Sequence, residues 1–366
     1  MVRSGFLIFV SLAICASAAD KKLIEFGWDE PDPEFMRESI EQLERSPFDG
    51  CVFHVNAKKP SGGGGGNSFT WDAWGTRLFT MEELKPALED LKAVQARKFK
   101  RNFLRFNTTP GKLDWFDDHS TVITNAELAA RFAREAGCPG LLFDIEQYDG
   151  PLFDYRKQRD AATKSWDTYA AQVRQRGREV MAAFQRGFPG LEVFLTFGYS
   201  LPWAQCGGKK EKLPDAHYGM LAPFMDGLVD AAEGKSKLID GHELSYGYKD
   251  PQQFVEAAKT MREGLLPIVA ADTNKYLKVL SVSFGLWMDQ NWRKYGWNTN
   301  DFSTNYFTPE KFEASLRKAL EVADDYVWIY TETPRWWSKD GGPVKLPRAY
   351  DAAVRRAVGH APAAKP

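Results

Sequence analysis

Two acidic side chains two residues apart, Asp144 and Glu146, lie in the run Gly140 to Tyr148. In an extended strand residues i and i+2 share a face, so Leu142, Asp144 and Glu146 point one way and Phe143 and Ile145 the other. The same alternation from Tyr326 to Thr333 puts Trp328, Tyr330 and Glu332 together, opposite Val327 and Ile329. Further polar groups sit towards the ends of similar runs: Asp29, then His54 and Asn56, then Arg105 and Asn107, then Glu243 with Tyr246, then Asp289 after Trp287. Converging carboxyl groups suit acid–base hydrolysis of a glycosidic bond. That reaction needs one carboxylic acid to protonate the leaving oxygen and a second carboxylate to act as nucleophile or to activate water. Glu146 is the first candidate for the acid, because a neighbouring carboxylate such as Asp144 helps to keep its proton on. Glu332 is the first candidate for the second carboxylate, with Asp144 as competitor. For any one acid alone, a structural ion pair, such as Asp144 or Glu332 with Arg105, is the simpler account.

What must position these groups is an alternation of short strands and longer helices. Eight β-branched and aromatic runs recur: Leu23 to Asp29, Cys51 to Ala57, Phe103 to Thr108, Gly140 to Tyr148, Glu192 to Tyr199, Lys237 to Tyr246, Val279 to Asp289 and Tyr326 to Thr333. Helical patterns separate them at about Asp32 to Arg45, Met81 to Arg97, Asn125 to Ala136, Arg159 to Phe188, Pro214 to Ala232, Pro251 to Leu265 and Pro309 to Ala323, with a last one from Leu346 to Val358. Thr80 before Met81-Glu82-Glu83, Asp250 before Pro251 and Thr308 before Pro309-Glu310 are helix-start signals. This pattern predicts an α/β fold, a (β/α)8 TIM barrel with long aromatic-rich loops after its strands. An open doubly wound sheet is the rival, since strand order is not written in the sequence. In a barrel the polar strand ends meet at the mouth formed by the C-terminal ends of the strands, where a scaffold built for stability alone would carry apolar or neutral groups.

The tryptophans supply an internal check. Of 12 in the chain, Trp28, Trp71, Trp74, Trp115, Trp203, Trp287, Trp292, Trp297, Trp336 and Trp337 fall at strand ends or in the loops that follow, leaving Trp166 in a helix and Trp328 inside a strand. Indole stacks well on the C–H face of a sugar ring, so a carbohydrate cleft with Trp28, Trp287 and Trp336 in its platform is expected. Roughly half of these rings are expected instead to pack as a second core over the barrel mouth.

The 366 residues carry 48 Lys+Arg against 49 Asp+Glu, a net charge of -1, which leaves no electrostatic footprint for nucleic acid. With 43% hydrophobic and 27% charged residues the chain can build a large core, and no segment approaches membrane-spanning length. Residues 1–18 read as a secretory leader: Arg3, the apolar run Phe6 to Ala13, and Ala16-Ser17-Ala18 as a cleavage site. A secreted or periplasmic protein is therefore expected, with lipid attachment at Cys15 as a lesser alternative because Ile14 stands where a small residue is needed. Residues 19–358 would form one barrel domain and 359–366 a disordered tail. Cys51, Cys138 and Cys206 allow at most one disulfide in the mature chain, and Cys51 and Cys138 suit small buried hydrophobes.

The segment Gly140-Leu141-Leu142-Phe143-Asp144-Ile145-Glu146 resembles the end of the strand-four signature of glycoside hydrolase family 18, the chitinase-like barrels, in which D-x-D-x-E closes on the proton donor. The resemblance implies Glu146 as acid and Asp144 as the residue orienting a 2-acetamido group that serves as nucleophile. Leu142 and Pro139 stand where that signature has acids, and His242-Glu243-Leu244-Ser245-Tyr246 does not reproduce the family's strand-six tyrosine motif. Other chemistries lack their motifs. Five His with no H-x-H or H-E-x-x-H pair leave zinc unsupported, so no metal is called. Gly62 to Gly66 lacks the Gly-Lys-Ser/Thr of a phosphate loop, so no nucleotide cofactor is called. The residues and their placement lead to the expectation of a secreted glycoside hydrolase, with a catalytically silent carbohydrate-binding barrel as the alternative.

Overall fold

The computed structural model describes residues 21–58, 67–338, 344 and 346–359; the leader read at residues 1–18, the glycine run 62–66 and residues 360–366 of the tail lie outside the described residues. Eight parallel strands form the centre. They are β1 (Lys22–Glu25), β2 (Gly50–Phe53), β3 (Phe103–Asn107), β4 (Gly140–Asp144), β5 (Glu192–Leu195), β6 (Lys237–Asp240), β7 in two pieces (Leu280–Val282 and Phe284–Trp287) and β8 (Tyr326–Tyr330). Each pairs with the next in chain order from β1 to β6. The first piece of β7 pairs with β6, the second with β8, and β8 pairs with β1, so the chain itself closes the ring at Ser283. The open-sheet rival is thereby set aside.

Strand alternation sorts the core into two shells. Ile24, Phe26, Val52, Phe103, Leu142, Phe194, Ile239, Tyr326 and Trp328 fill the barrel interior, while neighbours of opposite parity such as Leu23, Leu104, Phe106, Leu141 and Phe143 pack outward in the larger cluster shared with the helices. The interior is aromatic: Phe103 meets Phe194 and Tyr326 edge-on, each at 5.4 Å. Trp328 fits because β7 carries glycine beside it; a Cβ on Gly285 would lie 2.6 Å from the indole. Its Nε1 donates to the Gly241 carbonyl at 2.8 Å.

Helix starts follow the sequence signals where a side chain caps them. Thr80 and Glu83 form a capping box for Met81–Ala93, Asp250 and Gln253 another for Pro251–Lys259, and Thr308 caps Pro309–Val322. The helix expected from Arg159 begins only at Trp166, where Ser165 accepts from the Thr168 amide, and the preceding residues make a 3-10 turn, Tyr155–Lys157. The helix expected from Pro214 begins at Leu221, with Pro214 inside a separate 3-10 turn, Lys210–Asp215. Elements beyond the expectation include a hairpin pairing Asn56–Ala57 with Asn67–Ser68 and short helices such as Phe69–Asp72, Ser200–Gln205, Trp292–Tyr295 and Thr273–Val279, the last capped by Asp272. Cys51, Cys138 and Cys206 are buried free thiols. No helix among the described residues is long and apolar enough to cross a membrane.

Candidate active site

At the C-terminal mouth of the barrel lies a cavity of about 750 Å³ lined by Trp28, Glu30, His54, Trp71, Arg105, Glu146, Tyr148, Glu243, Tyr246, Trp287, Arg293, Tyr330, Glu332 and Arg335, with Phe26 and Gly27. Every strand except β5 supplies a residue from its end or following loop, the same seven strands whose ends read as polar in the sequence.

Of the residues singled out from sequence, the structure brings Glu146, Glu332, Trp28, His54, Arg105, Glu243, Tyr246, Trp287 and Tyr330 to this wall. Six are placed elsewhere, and each has a physical reason. Asp144 is fully buried beneath the wall, gripped by Arg105 and Tyr148. Asn107, its register partner on β3, is fully buried too. Asn56 is exposed in the short hairpin. Asp29 has the opposite parity to Ile24, Phe26, Trp28 and Glu30, so it turns outward: its carboxylate accepts from the Trp336 amide at 2.7 Å and its carbonyl from Trp337 Nε1 at 2.7 Å. Asp289 accepts from Trp287 Nε1 (2.8 Å), the Glu332 amide (3.1 Å) and the Thr333 amide (2.7 Å), tying the end of β7 to that of β8. Trp336 packs edge-on against Phe48 at 4.6 Å, in the second core. Asp29 and Asp289 are thus corrected from substrate contacts to clamps on the loops that carry Glu332 and Arg335. Asn56, Asn107 and Trp336 are corrected to residues off the cleft, and Asp144 to a positioning residue behind it.

The tryptophans divide similarly. Trp28, Trp71 and Trp287 line the cavity, whereas Trp74, Trp115 and Trp337 are fully buried and Trp297 packs on Tyr350 at 4.8 Å. With Trp336, the second core takes five of the ten loop rings, about the half expected.

Glu146 stands just past the end of β4. Its amide donates to Asp144 Oδ1 at 3.2 Å, and the Thr108 hydroxyl donates to its carbonyl at 3.1 Å, which fixes the backbone there. Its carboxyl shares the Tyr148 hydroxyl with Asp144, 3.2 Å from that oxygen, and Arg105 Nη2 donates to the same Asp144 oxygen at 2.6 Å. A phenol has one proton to donate. If Glu146 is protonated, it donates to Tyr148, Tyr148 donates to Asp144, and the Asp144 carboxylate rests on Arg105, so every proton in the chain has an acceptor. Burial first, then the negative charge of Asp144, push the Glu146 carboxyl up to about 7, against a smaller lowering by Tyr148 and Arg105.

Glu243 follows β6 through His242, whose backbone is left-handed (φ 43°) and whose amide donates to Asp240 at 3.0 Å. Burial, then the charges of Glu146 and Asp144, hold the Glu243 carboxyl well above the usual carboxylate range, with Tyr246 opposing. Tyr246 stacks on Tyr330 at 5.4 Å and meets Trp287 edge-on at 5.7 Å, forming an aromatic floor.

Glu332 is held differently. Arg293 Nη2 donates to its two oxygens at 2.8 and 2.7 Å, Trp292 Nε1 at 2.6 Å and the Tyr330 hydroxyl at 3.3 Å. Arg105 is committed as well, to Glu30 at 2.8 Å and Asp144 at 2.6 Å, and it lies over Trp71 at 4.7 Å. The cavity therefore offers two carboxyls held towards their neutral forms, Glu146 and Glu243, and one that is ion-paired, Glu332, so an acid and a carboxylate, as acid-assisted displacement at an acetal requires, face one space. Among the described residues no group of three or more His, Cys, Asp or Glu side chains is arranged to hold a metal ion.

Sequence reasoning missed Glu30, Trp71, Tyr148, Arg293 and Arg335. Parity with Trp28 was a signal for Glu30, and the continued alternation 144, 146, 148 was one for Tyr148. The two arginines lie in loops, where no periodicity marks them.

No protein-family model matches the chain, and no curated protein matches it by sequence. Solved structures do. The chain is similar over 94% of its length to a trimodular endoglucanase of the GH5_4 subfamily (TM-score 0.52, 10% identity, 61% of that chain). It is similar over 94% to the full-length tri-modular endo-β-1,4-glucanase B of Bacillus halodurans (TM-score 0.51, 9% identity, 61% of that chain). The chain thus spans about three fifths of the length of these two proteins. At such identities the likeness is one of fold, and it agrees with strand order and register: the chain is a (β/α)8 barrel.

Proposed function

We propose that this protein is a glycoside hydrolase acting on an oligo- or polysaccharide, with Glu146 as general acid and Glu332 as nucleophile or base. The observation that carries the reading is that these two carboxyl groups, one held protonated to near pH 7 and one ion-paired, line a single cavity with three indole rings. In this reading the Glu146 proton passes to the glycosidic oxygen as the bond breaks, while Glu332 attacks the anomeric carbon or draws a proton from the attacking water. Tyr148, relieved of the Glu146 proton, then donates to the new carboxylate. Asp144 is too deeply buried to reach an acetamido group, so displacement by a protein carboxylate is better supported than the assisted route implied by the family 18 resemblance. The glucanase neighbours add support at the level of fold. Export is part of the proposal and rests on the leader sequence at residues 1–18.

The experiment is a glycan screen with the wild type, Glu146→Gln and Glu332→Gln, each substitution keeping side-chain size. Either change is expected to lower kcat by about a thousand-fold or more. Undiminished turnover in one variant would remove that residue from the mechanism. Binding of glycans by the wild type without any turnover would favour the catalytically silent carbohydrate-binding barrel.

A further inference from the structure

The cleft carries three guanidinium groups, and they are not equivalent. Arg105 is enclosed: two carboxylates hold its Nη1 and Nη2, the rings of Trp71 (4.7 Å) and Phe26 (5.0 Å) cover it, its Nε is buried, and its side chain is only 10% exposed. Arg293 uses Nη2 alone, on Glu332, and its side chain is 62% exposed. Arg335 makes no direct ion pair among the described residues. Its Nη1 donates to the carbonyls of Glu332 and Pro334, which leaves the edge formed by Nε and Nη2 without a hydrogen-bond partner among the described residues. That edge is the fork with which arginine grips a carboxylate or a sulfate through two parallel hydrogen bonds. Asp29 attracts Arg335 from the buried side of the loop without a direct ion pair.

Both guanidiniums lie over the same ring. The Cζ of Arg293 and that of Arg335 are each 5.8 Å from the Trp28 indole centroid, and Trp28 is 54% exposed, the most open of the cavity tryptophans. This wall thus presents a half-exposed indole bordered by two cations, of which only Arg293 has a direct carboxylate partner, Glu332, among the described residues. On the β4 and β6 side, burial keeps Glu146 and Glu243 towards their neutral forms, and Glu30 is paired with Arg105, so repulsion of an incoming anion from that side is reduced.

Resting on the reading of this cleft as a glycan site, we propose that its substrate is an acidic glycan. A sugar ring stacks on the exposed part of Trp28 and its carboxylate or sulfate is held by the Nε/Nη2 fork of Arg335, with Nη1 of Arg293 alongside as a single donor and Arg335 as the specificity-determining residue. A ring lying on the indole projects its exocyclic anionic group sideways, towards the guanidiniums rather than into the indole face. A neutral ring would stack equally well and leave the Arg335 fork to water.

The test uses the full chain carrying Glu146→Gln, to stop turnover, and isothermal titration with matched pairs. These are oligogalacturonate, glucuronate-bearing xylo-oligosaccharide and alginate oligosaccharide against their carboxyl-reduced forms, and sulfated galactan oligosaccharide against its desulfated form. In at least one pair the charged member is expected to bind about five-fold or more tightly, and that ratio is expected to collapse towards one in Arg335→Ala and to recover only in part in Arg335→Lys, which restores charge without the fork. The uronate and sulfate arms identify which anion is preferred. Ratios below five in every pair, or a ratio that survives Arg335→Ala in a variant with the parent's circular dichroism, would overturn the proposal. The two readings fail separately. Turnover of neutral glycans without charge preference leaves the hydrolase standing and removes the acidic subsite. Charge-selective binding by a wild type that turns nothing over removes the hydrolase and keeps the subsite.

Discussion

If Glu146 is the acid, the alkaline limb of kcat/KM reports its proton, and two substitutions that leave it untouched should move that limb in opposite directions. Glu146 and Asp144 both bond the Tyr148 hydroxyl, so their nearest oxygens are at most about 6 Å apart, twice a hydrogen-bond length. Two charges at about 6 Å with an effective dielectric constant of about 20 repel by roughly 3 kcal/mol, equivalent to about two pH units. Arg105, on Asp144, is present in both parent and variant, so its charge does not subtract from this difference. Asp144→Asn removes the negative neighbour, makes ionised Glu146 easier to form, and should bring the limb down from near 7 by about two pH units. Tyr148→Phe removes a donor to ionised Glu146, makes that form harder to reach, and should push the limb up by about half a unit or more. Activity requires the protonated acid, so at pH 7.5 Asp144→Asn should lose more than Tyr148→Phe. The assay is a pH–rate profile on the best substrate from the glycan screen, with Glu146→Gln as the blank. Limbs that stay put in both variants, or move in the same direction, would refute the assignment of Glu146 as the titrating acid.

Three other outcomes test the surrounding structure. Trp71→Ala should raise KM about ten-fold, as expected for a lost stacking platform, with kcat within a factor of three; an unchanged KM would assign Trp71 to covering Arg105 alone. Asp289→Ala strands the Trp287 indole N–H and the amides of Glu332 and Thr333, and should lower stability to urea by about 3 kcal/mol along with activity. A loss under about 1 kcal/mol with full activity would show that the clamp is not needed. Gly140→Ala would place a Cβ 1.8 Å from the Glu192 carbonyl oxygen, between β4 and β5, and should abolish soluble expression or cut stability by more than about 4 kcal/mol; a well-folded variant would contradict that register.

Strand-level features were legible in the sequence because they depend on local periodicity. Alternation in the fourth and eighth runs assigned Glu146, Tyr330 and Glu332 to the mouth. The same alternation, had it been carried from Ile24 through Phe26 and Trp28, selects Glu30 over Asp29. The β/α alternation and the caps at Thr80, Asp250 and Thr308 marked the elements and hence the barrel. Loop residues carry no such period. Whether an indole lines the cavity, like Trp28, or packs on Phe48, like Trp336, depends on which loops from distant strands meet above the barrel. The pairing of Arg293 with Glu332 likewise joins the loop after β7 to the end of β8.

Burial was the other quantity that only the tertiary structure decided. Asp144 and Glu146 are equivalent as residue types on one strand face, yet the first is sealed under Arg105 and Tyr148 and the second opens to the cavity, because the two positions differ in height by one strand repeat at the rim of the barrel. The sequence by itself marked Glu146, Glu243 and Glu332 as carboxyls at the mouth, but it did not find Glu30 or separate these from Asp29, Asp144 and Asp289. Which of them keeps a proton is a matter of desolvation and neighbouring charge, and both arise only when seven strand ends close around one space.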